Sequence, residues 1–477
     1  MESIWSQTCQ IPPKDSLKGN IQTQAAIIGG GMAGVLIAHY LKKAGLDTVI
    51  LEAKHTASGQ SRNTTAKITS QHGLIYHQLS RTIGEEQARI YAQANQQAVE
   101  NYARLIQDEH IDCNFERRDA YLYSSDKKLL TDELAACQAL GLPATLEELL
   151  PLPFTSAGAV KFSGQAQFHP LKFIRALAKD LTIYEHTPAL EVEDSVIHTP
   201  NGKVEAEQII FACHFPFVNF PGMYFARMHQ ERVYFLALKN APHYDGMFIG
   251  ADENSFSLRN YGDLLFFGGA SHRTGDNKEG GRYELLRQKA KYYFPESSEV
   301  AHWSAQDCLS VDNVPYIGHF SHNRPNWYVA TGFQKWGMST SMVSAMIISD
   351  LINGKENPYA SVFDPHRFQS EALGQMMQNS KEALKGLSRR FFYIPTELAA
   401  EIPCGHGGVV LLDGEKVGVY KDERGKIYPV DIRCPHLGCE LEYNPDEHSW
   451  DCPCHGSRFD RYGHWLEAPA TGDLGHE

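Results

Sequence analysis

Apolar residues close the run IQTQAAII, recur at helical spacing through MAGVLIAHYLKK and gather again in TVIL. That order predicts a strand, a glycine turn, an amphipathic helix and a second strand, which is a βαβ unit. Between Ile83 and His110 the positions Ile83, Ile90, Tyr91, Val99, Tyr102, Leu105 and Ile106 mark one apolar stripe on an otherwise polar helix. From Tyr224 to Ala270 the rhythm shortens to aromatic-rich runs, RVYFLALK, GMFIG, SFSLR and DLLFFGGA, with Asn260, Gly262 and Asp263 as turn residues between the last two. An antiparallel sheet is predicted there. βα character returns in NWYVATGFQKWGMSTSMVSAMIISDLING, after which Asn353 to Arg390 is polar and reads as a linker. From Phe391 the short strands GVVLL, KVGVYKD and IYPVDI, separated by glycine- and aspartate-rich turns, predict an all-β module.

These rhythms divide the chain into a polar lead at 1–20, a body at 21–355, a linker at 356–390 and a terminal module at 391–477. Of the formal charge of −13, residues 391–477 carry −9, so an acidic module is joined to a nearly neutral body. A basic nucleic-acid surface or an anionic-membrane footprint would need clustered positive charge, so neither partner is expected. No stretch approaches the roughly 20 apolar residues of a membrane-spanning helix, so no transmembrane segment is expected. The opening MESIWSQTCQ lacks a basic start followed by an apolar run, which gives a cytoplasmic expectation. The 10 cysteines then read as thiols or metal ligands, and four of them, Cys434, Cys439, Cys452 and Cys454, fall within 21 positions.

Gly29-Gly30-Gly31-Met32-Ala33-Gly34 fits GxGxxG between the first strand and its helix, and Glu52 ends the next strand 18 residues beyond Gly34. Such glycines admit a pyrophosphate to the helix N-terminus, and a carboxylate at Glu52 suits a ribose while repelling a 2′-phosphate. Together with Asp312-Asn313-Val314-Pro315-Tyr316-Ile317-Gly318 and the run Thr331 to Thr340, the body resembles the D-amino-acid-oxidase-like FAD enzymes. The resemblance implies an α/β, Rossmann-like FAD-binding domain (about 21–75, 155–222 and 305–355) with an antiparallel-sheet substrate domain (about 76–154 and 223–304). It implies FAD contacts at Gly29, Gly31, Met32, Ala33, Gly34, Glu52 and Ala53, then at Ser61, Arg62, Thr65, Lys67 and Thr69. Further contacts are implied at Ala189, Ala212, Gly332, Gly337, Met338, Ser339 and Thr340, where a helix N-terminus faces the flavin pyrimidine. Family members often place a carboxylate-binding arginine shortly before the aspartate matching Asp312. Here that stretch carries Asp307, which favours an amine partner, although a solvated or capping carboxylate reads equally well. Lys67, in the loop expected near the flavin, is the other candidate catalytic residue.

Cys434-Pro435-His436 and Cys452-Pro453-Cys454-His455 give C-x-H, fifteen intervening residues, then C-x-x-H. Two thiolates and two imidazoles suit the two irons of a [2Fe–2S] centre, with zinc as the competing use of such a set. The flanking CPHLGC and CPCHGSRFD are similar to the Rieske family at its motif positions. That resemblance implies a Rieske [2Fe–2S] cluster on Cys434, His436, Cys452 and His455, a disulfide between Cys439 and Cys454 with two free thiols as the alternative, and a Ser457 hydroxyl directed at cluster sulfur. Cys404-Gly405-His406 repeats C-x-H but precedes the first hairpin and reads as a turn.

Rieske oxygenases follow the cluster with a mononuclear iron domain, whereas 22 residues follow His455 here, and the sequence has no second GxGxxG for NAD(P)H. The whole resembles bacterial FAD-dependent amine or amino-acid oxidoreductases fused to a Rieske domain. It implies hydride transfer from an amine or amino acid to FAD, with the cluster relaying single electrons to a carrier protein or quinone. An NAD(P)H- or protein-fed reductase component and an oxidase with a regulatory Rieske module are the alternatives.

Overall fold

Ala25, Ala26, Ile27 and Ile28 are buried on both faces of their strand, as in a parallel strand covered from two sides. The computed structural model describes residues 2–367, 399–412 and 414–475. Ile21–Ile28 lies between Gly202–Phe211 and Thr48–Leu51, parallel to both. Thr182–Tyr184 continues the sheet beyond Thr48–Leu51, while Arg324–Thr331 and then antiparallel Tyr316–Ser321 continue it beyond Gly202–Phe211. Ile27, Ile50 and Ile210 point toward the helices Met32–Lys43 and Gly337–Ile352, whereas Ile28, Leu51 and Phe211 fill a second cluster on the other face. The first helix can press against its strand because position 34 is glycine: a Cβ there would stand 1.9 Å from the Gly29 carbonyl oxygen.

The aromatic-rich runs form the larger, ten-stranded sheet. Met228–Lys239 pairs antiparallel with Ser298–Ser310 on one side and Leu264–Arg273 on the other, and Ser257–Tyr261 and Met247–Gly250 follow. Met247–Gly250 then runs parallel to Glu116–Tyr123, a departure from the purely antiparallel expectation. Ala159–Gln167 and the two-residue strand Lys67–Ile68 complete the path, which sets Lys67 at the sheet edge. The striped segment forms the helix Gly84–Asp108, with Tyr91, Val99, Tyr102 and Leu105 buried.

The first 20 residues do more than lead into the first strand. Ile4–Thr8 is a helix that buries Trp5 completely. The Trp5 indole N–H donates to the Thr64 carbonyl at 2.7 Å, the Arg259 guanidinium lies 5.5 Å from its ring centroid, and the Ser3 hydroxyl donates to the Arg62 carbonyl. The segment therefore holds up the loop that leads to Lys67. Residues 368–390 of the expected linker lie outside the described residues. Its earlier part is packed, with Phe363 buried and Arg367 binding the Asp312 carboxylate at 2.8 and 2.9 Å.

The C-terminal module has a three-stranded sheet (His406–Leu412, Glu415–Lys421, Ile427–Val430) and a four-stranded sheet (Glu442–Asn444, Ser449–Asp451, Arg458–Asp460, Trp465–Glu467). It lies against the body at the ten-stranded sheet. Gly275, at φ +79°, lets the two backbones meet, since a Cβ there would stand 2.5 Å from Pro453. Among the described residues, no helix is long and apolar enough to cross a membrane.

Trp5→Ala removes a fully buried indole and its hydrogen bond, so unfolding stability should fall by about 3–5 kcal/mol. Denaturant unfolding of wild type and variant checks this, and a loss below about 1 kcal/mol would contradict the anchoring role.

Candidate active site and metal centre

A cavity of about 1050 Å³ opens between the two sheets of the body, and the C-terminal module supplies part of its wall. The glycine turn places Gly29, Gly31, Met32 and Ala33 on that wall, beside Glu52 and Ala53 from the end of the second strand. Ser61, Arg62, Thr65 and Lys67 follow from the loop, Ala189 and Ala212 from the segments flanking the sheet, Gly337 and Met338 from the second helix N-terminus, and Asp307 from Ser298–Ser310. Five of the residues expected to contact FAD lie off the wall. Gly34 sits beneath the turn, where it permits helix–strand contact. Thr69 is turned inward, its hydroxyl accepting from Gln71 N–H at 2.9 Å and its carbonyl 2.8 Å from His72 Nε2. Ser339 meets the same histidine nitrogen at 3.0 Å, while Thr340 and Gly332 are absent from the lining.

The wall suits a dinucleotide. No side chain covers the turn at Gly29 and Gly31, and a Cβ on Gly31 would press to 3.2 Å from Ser61 Oγ, which itself accepts from Met32 N–H at 2.8 Å. Glu52 is fixed at this end by Gly30 N–H and Lys54 N–H, each at 2.8 Å. Burial raises its pKa, and these two N–H groups oppose the rise.

Lys67 Nζ donates to Ser257 Oγ and faces the cavity. Burial, aided by the Arg259 charge, holds this lysine down at about 7. Asp307 is not a free anion: Lys335 Nζ lies 3.3 Å from its carboxylate and 3.1 Å from that of Glu231 on the adjacent strand. Burial pushes the Asp307 pKa up and Lys335 opposes it.

The residues expected to hold the metal centre converge from two loops. Cys434 and Cys452 are buried free thiols, and the imidazoles of His436 and His455 lie 4.8 Å apart at 90°. Both histidine Nδ1 atoms are buried with no hydrogen-bond partner among the described residues. His436 Nε2 lies 2.7 Å from Asn219 Oδ1, and an amide oxygen only accepts, so the proton sits on Nε2 and the Nδ1 lone pair is free for a metal. Burial holds His436 at about 4 and His455 at about 3, which keeps both rings neutral. Ser457 Oγ accepts from Ala470 N–H at 3.0 Å and its hydroxyl reaches Cys434. Two thiols and two orphaned imidazole nitrogens fit a cluster with one sulfur-ligated and one nitrogen-ligated iron. Cys439 and Cys454 are joined as a disulfide, and Cys404 is exposed.

Several wall residues gave no motif signal, although Arg458 stands within CPCHGSRFD. Glu447, Arg458, Trp465, Leu466, Glu467 and Ala468 reach the cavity from the C-terminal module. Arg232 meets Glu447 at 2.6 Å and Glu467 at 3.4 Å, and Arg458 meets Glu447 at 3.1 Å, Glu467 at 3.3 Å and Asp451 at 2.9 Å. The side chains of Arg232, Glu447 and Arg458 are 2%, 7% and 5% exposed, so these charges depend on one another rather than on water. Burial works against ionisation of Glu447, but Arg232 and Arg458 outweigh it and hold the carboxyl at about 2. For Arg232 the sequence sign was an arginine heading the apolar run VYFLAL.

A family model of FAD dependent oxidoreductases matches residues 24–351, and one of the Rieske [2Fe-2S] domain matches residues 394–476. The chain belongs to the FAD dependent oxidoreductase family and carries a C-terminal Rieske domain. Among relatives of this flavoprotein, YhfW of Bacillus subtilis, which bears a Rieske 2Fe-2S iron-sulfur name, is 39% identical over 99% of this chain and 97% of its own. Gamma-glutamylputrescine oxidoreductase of Escherichia coli is 21% identical over 72% of this chain and 86% of its own. The crystal structure of glycine oxidase from Geobacillus kaustophilus superposes with a TM-score of 0.61 at 19% identity, covering 73% of this chain and 99% of that one. The oxidoreductase is therefore an FAD and [2Fe–2S] enzyme with the glycine oxidase fold.

Arg232→Leu leaves the buried Glu447 and the partly buried Glu467 short of a partner and should cost about 3–5 kcal/mol of unfolding stability, measured by denaturant titration at neutral pH. Because the folded Glu447 pKa is near 2 and its ordinary value 4.5, its contribution is complete above about pH 4.5 and fades as pH falls toward 2. The gap between wild type and Arg232→Leu should therefore narrow over that range, and a gap that widened on acidification would contradict the assignment. Cys452→Ser should abolish the reduced-cluster electron paramagnetic resonance signal while bound flavin absorbance persists, and an undiminished signal would remove Cys452 from the ligand set.

Proposed function

We propose that the oxidoreductase oxidises an amine or amino acid at a flavin held by segments of about 21–75, 155–222 and 305–355, and that its Rieske module carries the electrons on singly to an acceptor. The observation that carries this reading is the shared cavity: the glycine turn and the strand Trp465–Glu467 of the module line one space. A module that walls the cavity is poorly described as a removable regulator. Bound FAD supplies a two-electron acceptor for a substrate hydride, and a bound cluster supplies a one-electron outlet.

The chain's own residues prepare the substrate. An amine loses hydride from its α-carbon readily only when its nitrogen lone pair is free, so the ammonium proton must first leave. Lys67 Nζ, held near 7 inside the wall, is matched to accept that proton at neutral pH. Phe235, Trp303, Phe333 and Trp336 line the cavity and exclude water around this amine. Lys335 is shared by Asp307 and Glu231, so Asp307 offers the wall a paired carboxylate rather than a free one. The Escherichia coli relative's name specifies a glutamylated polyamine, which supports an amine substrate.

Anaerobic titration with a panel of amines and amino acids, and separately with NADH and NADPH, tests the reading by optical and electron paramagnetic resonance spectra. One amine or amino acid should bleach the flavin and then produce the reduced-Rieske signal, with the nicotinamides inert. Reduction by a nicotinamide alone would replace this proposal with a reductase component.

A further inference from the structure

Two glutamines connect the cavity wall to the loop that carries His455. Gln230 and Gln306 stand on adjacent strands, Met228–Lys239 and Ser298–Ser310, and both are buried, at 2% and 1% exposure. Gln306 lines the cavity. Its Nε2 donates to the Gly456 carbonyl at 2.8 Å and to Gln230 Oε1 at 2.7 Å, and its Oε1 accepts from Thr274 Oγ1 at 3.1 Å and Arg232 Nη1 at 3.4 Å. Gln230 Nε2 in turn donates to the His455 carbonyl at 2.6 Å and the Ala468 carbonyl at 3.1 Å.

The orientation of both amides follows from their partners. The carbonyls of His455, Gly456 and Ala468 only accept, so both Nε2 groups must face the Rieske module. Every N–H of the two amides is used, and a buried network so satisfied is rigid and expensive to break. Gly456, at φ +83°, permits the contact, because a Cβ there would stand 2.7 Å from Gln230 Cβ. Phe225 packs on the other side, its ring 5.8 Å from that of His455.

We propose that Gln230 and Gln306 are positioning residues that hold the His455 loop at a fixed distance from the flavin cavity, so that electrons cross between them. The proposal rests on the relay reading above. Oxidation of an amine C–N single bond to an imine releases two electrons and two protons. Bound FAD would take both electrons and a bound cluster would offer them singly to two equivalents of a one-electron carrier, with the protons passing to water. The glutamines touch neither substrate nor iron, and they act by keeping the ligand loop in place.

The test uses FAD- and cluster-loaded wild type, Gln230→Leu and Gln306→Glu, the last keeping shape while losing the donor to Gly456. Flavin is reduced by a light pulse without oxygen, cluster reduction is followed optically, and amide hydrogen exchange is read by mass spectrometry on the peptide 452–458. Both variants should keep wild-type flavin content, iron content and cluster g-values. They should slow cluster reduction about tenfold or more, as a displaced reacting group does, and speed exchange in that peptide. Wild-type transfer rates together with wild-type exchange in either folded variant would overturn the proposal. Absence of cluster reduction in wild type would instead defeat the relay reading, and the exchange measurement would still decide whether the glutamines hold the loop.

Discussion

Arg232 and Arg458 share Glu447 and Glu467, with both arginines and Glu447 nearly closed to water and Glu467 partly open, and this ion cluster is the constraint on which the arrangement depends. A single unpaired charge at that depth costs several kcal/mol, so the four groups are tolerable only together. One arginine comes from the body and the other three groups from the Rieske module, so Arg232 meets its carboxylate partners only when the module is seated. Asp451 completes the valence of Arg458, and Ser304 bridges Arg232 and Glu447 by its hydroxyl. The seam specifies an orientation, because the Arg232 guanidinium must meet Glu447 and Glu467 together.

That orientation has chemical consequences on each side. Toward the body, Trp465 to Ala468 close part of the cavity, and Lys54, whose backbone N–H anchors Glu52, sends its Nζ to the carbonyls of Trp465 and Leu466. The dinucleotide end of the cavity and the cluster module are therefore coupled through one lysine. Toward the cluster, the same seating buries His455 and leaves His436 partly exposed beside Asn219. The two imidazoles thus differ in surroundings, one enclosed by the body and the other near solvent.

The sequence revealed most where a covalent or backbone requirement dictates residue type. The glycine turn must lack side chains, two Cys–His loops must converge on one cluster, and period-3.6 and period-2 rhythms must bury one face, so each left a local signature. Legibility fell where function depends on residues distant in sequence. Trp5 looked like part of a polar lead because one buried ring in 20 residues makes no periodic pattern, although it supports the loop carrying Lys67. Asp307 read as an amine partner or as a solvated or capping carboxylate because the lysine it pairs with, Lys335, is 28 residues away. Thr69, Ser339 and Thr340 fell in the expected neighbourhood, yet the Thr69 carbonyl and the Ser339 hydroxyl meet His72, and none of the three lines the cavity. Glu447 and Glu467 carried no sign beyond the module's net acidity, and only the docked fold shows that they meet Arg232.

The central claim is that flavin cavity and iron–sulfur centre form one electron-transfer unit within a single chain. The most direct measurement is the rate of cluster reduction after anaerobic photoreduction of the flavin, followed over a hundredfold range of protein concentration. The account predicts a first-order rate independent of concentration. A rate rising in proportion to concentration would mean that electrons pass between molecules, and would contradict it.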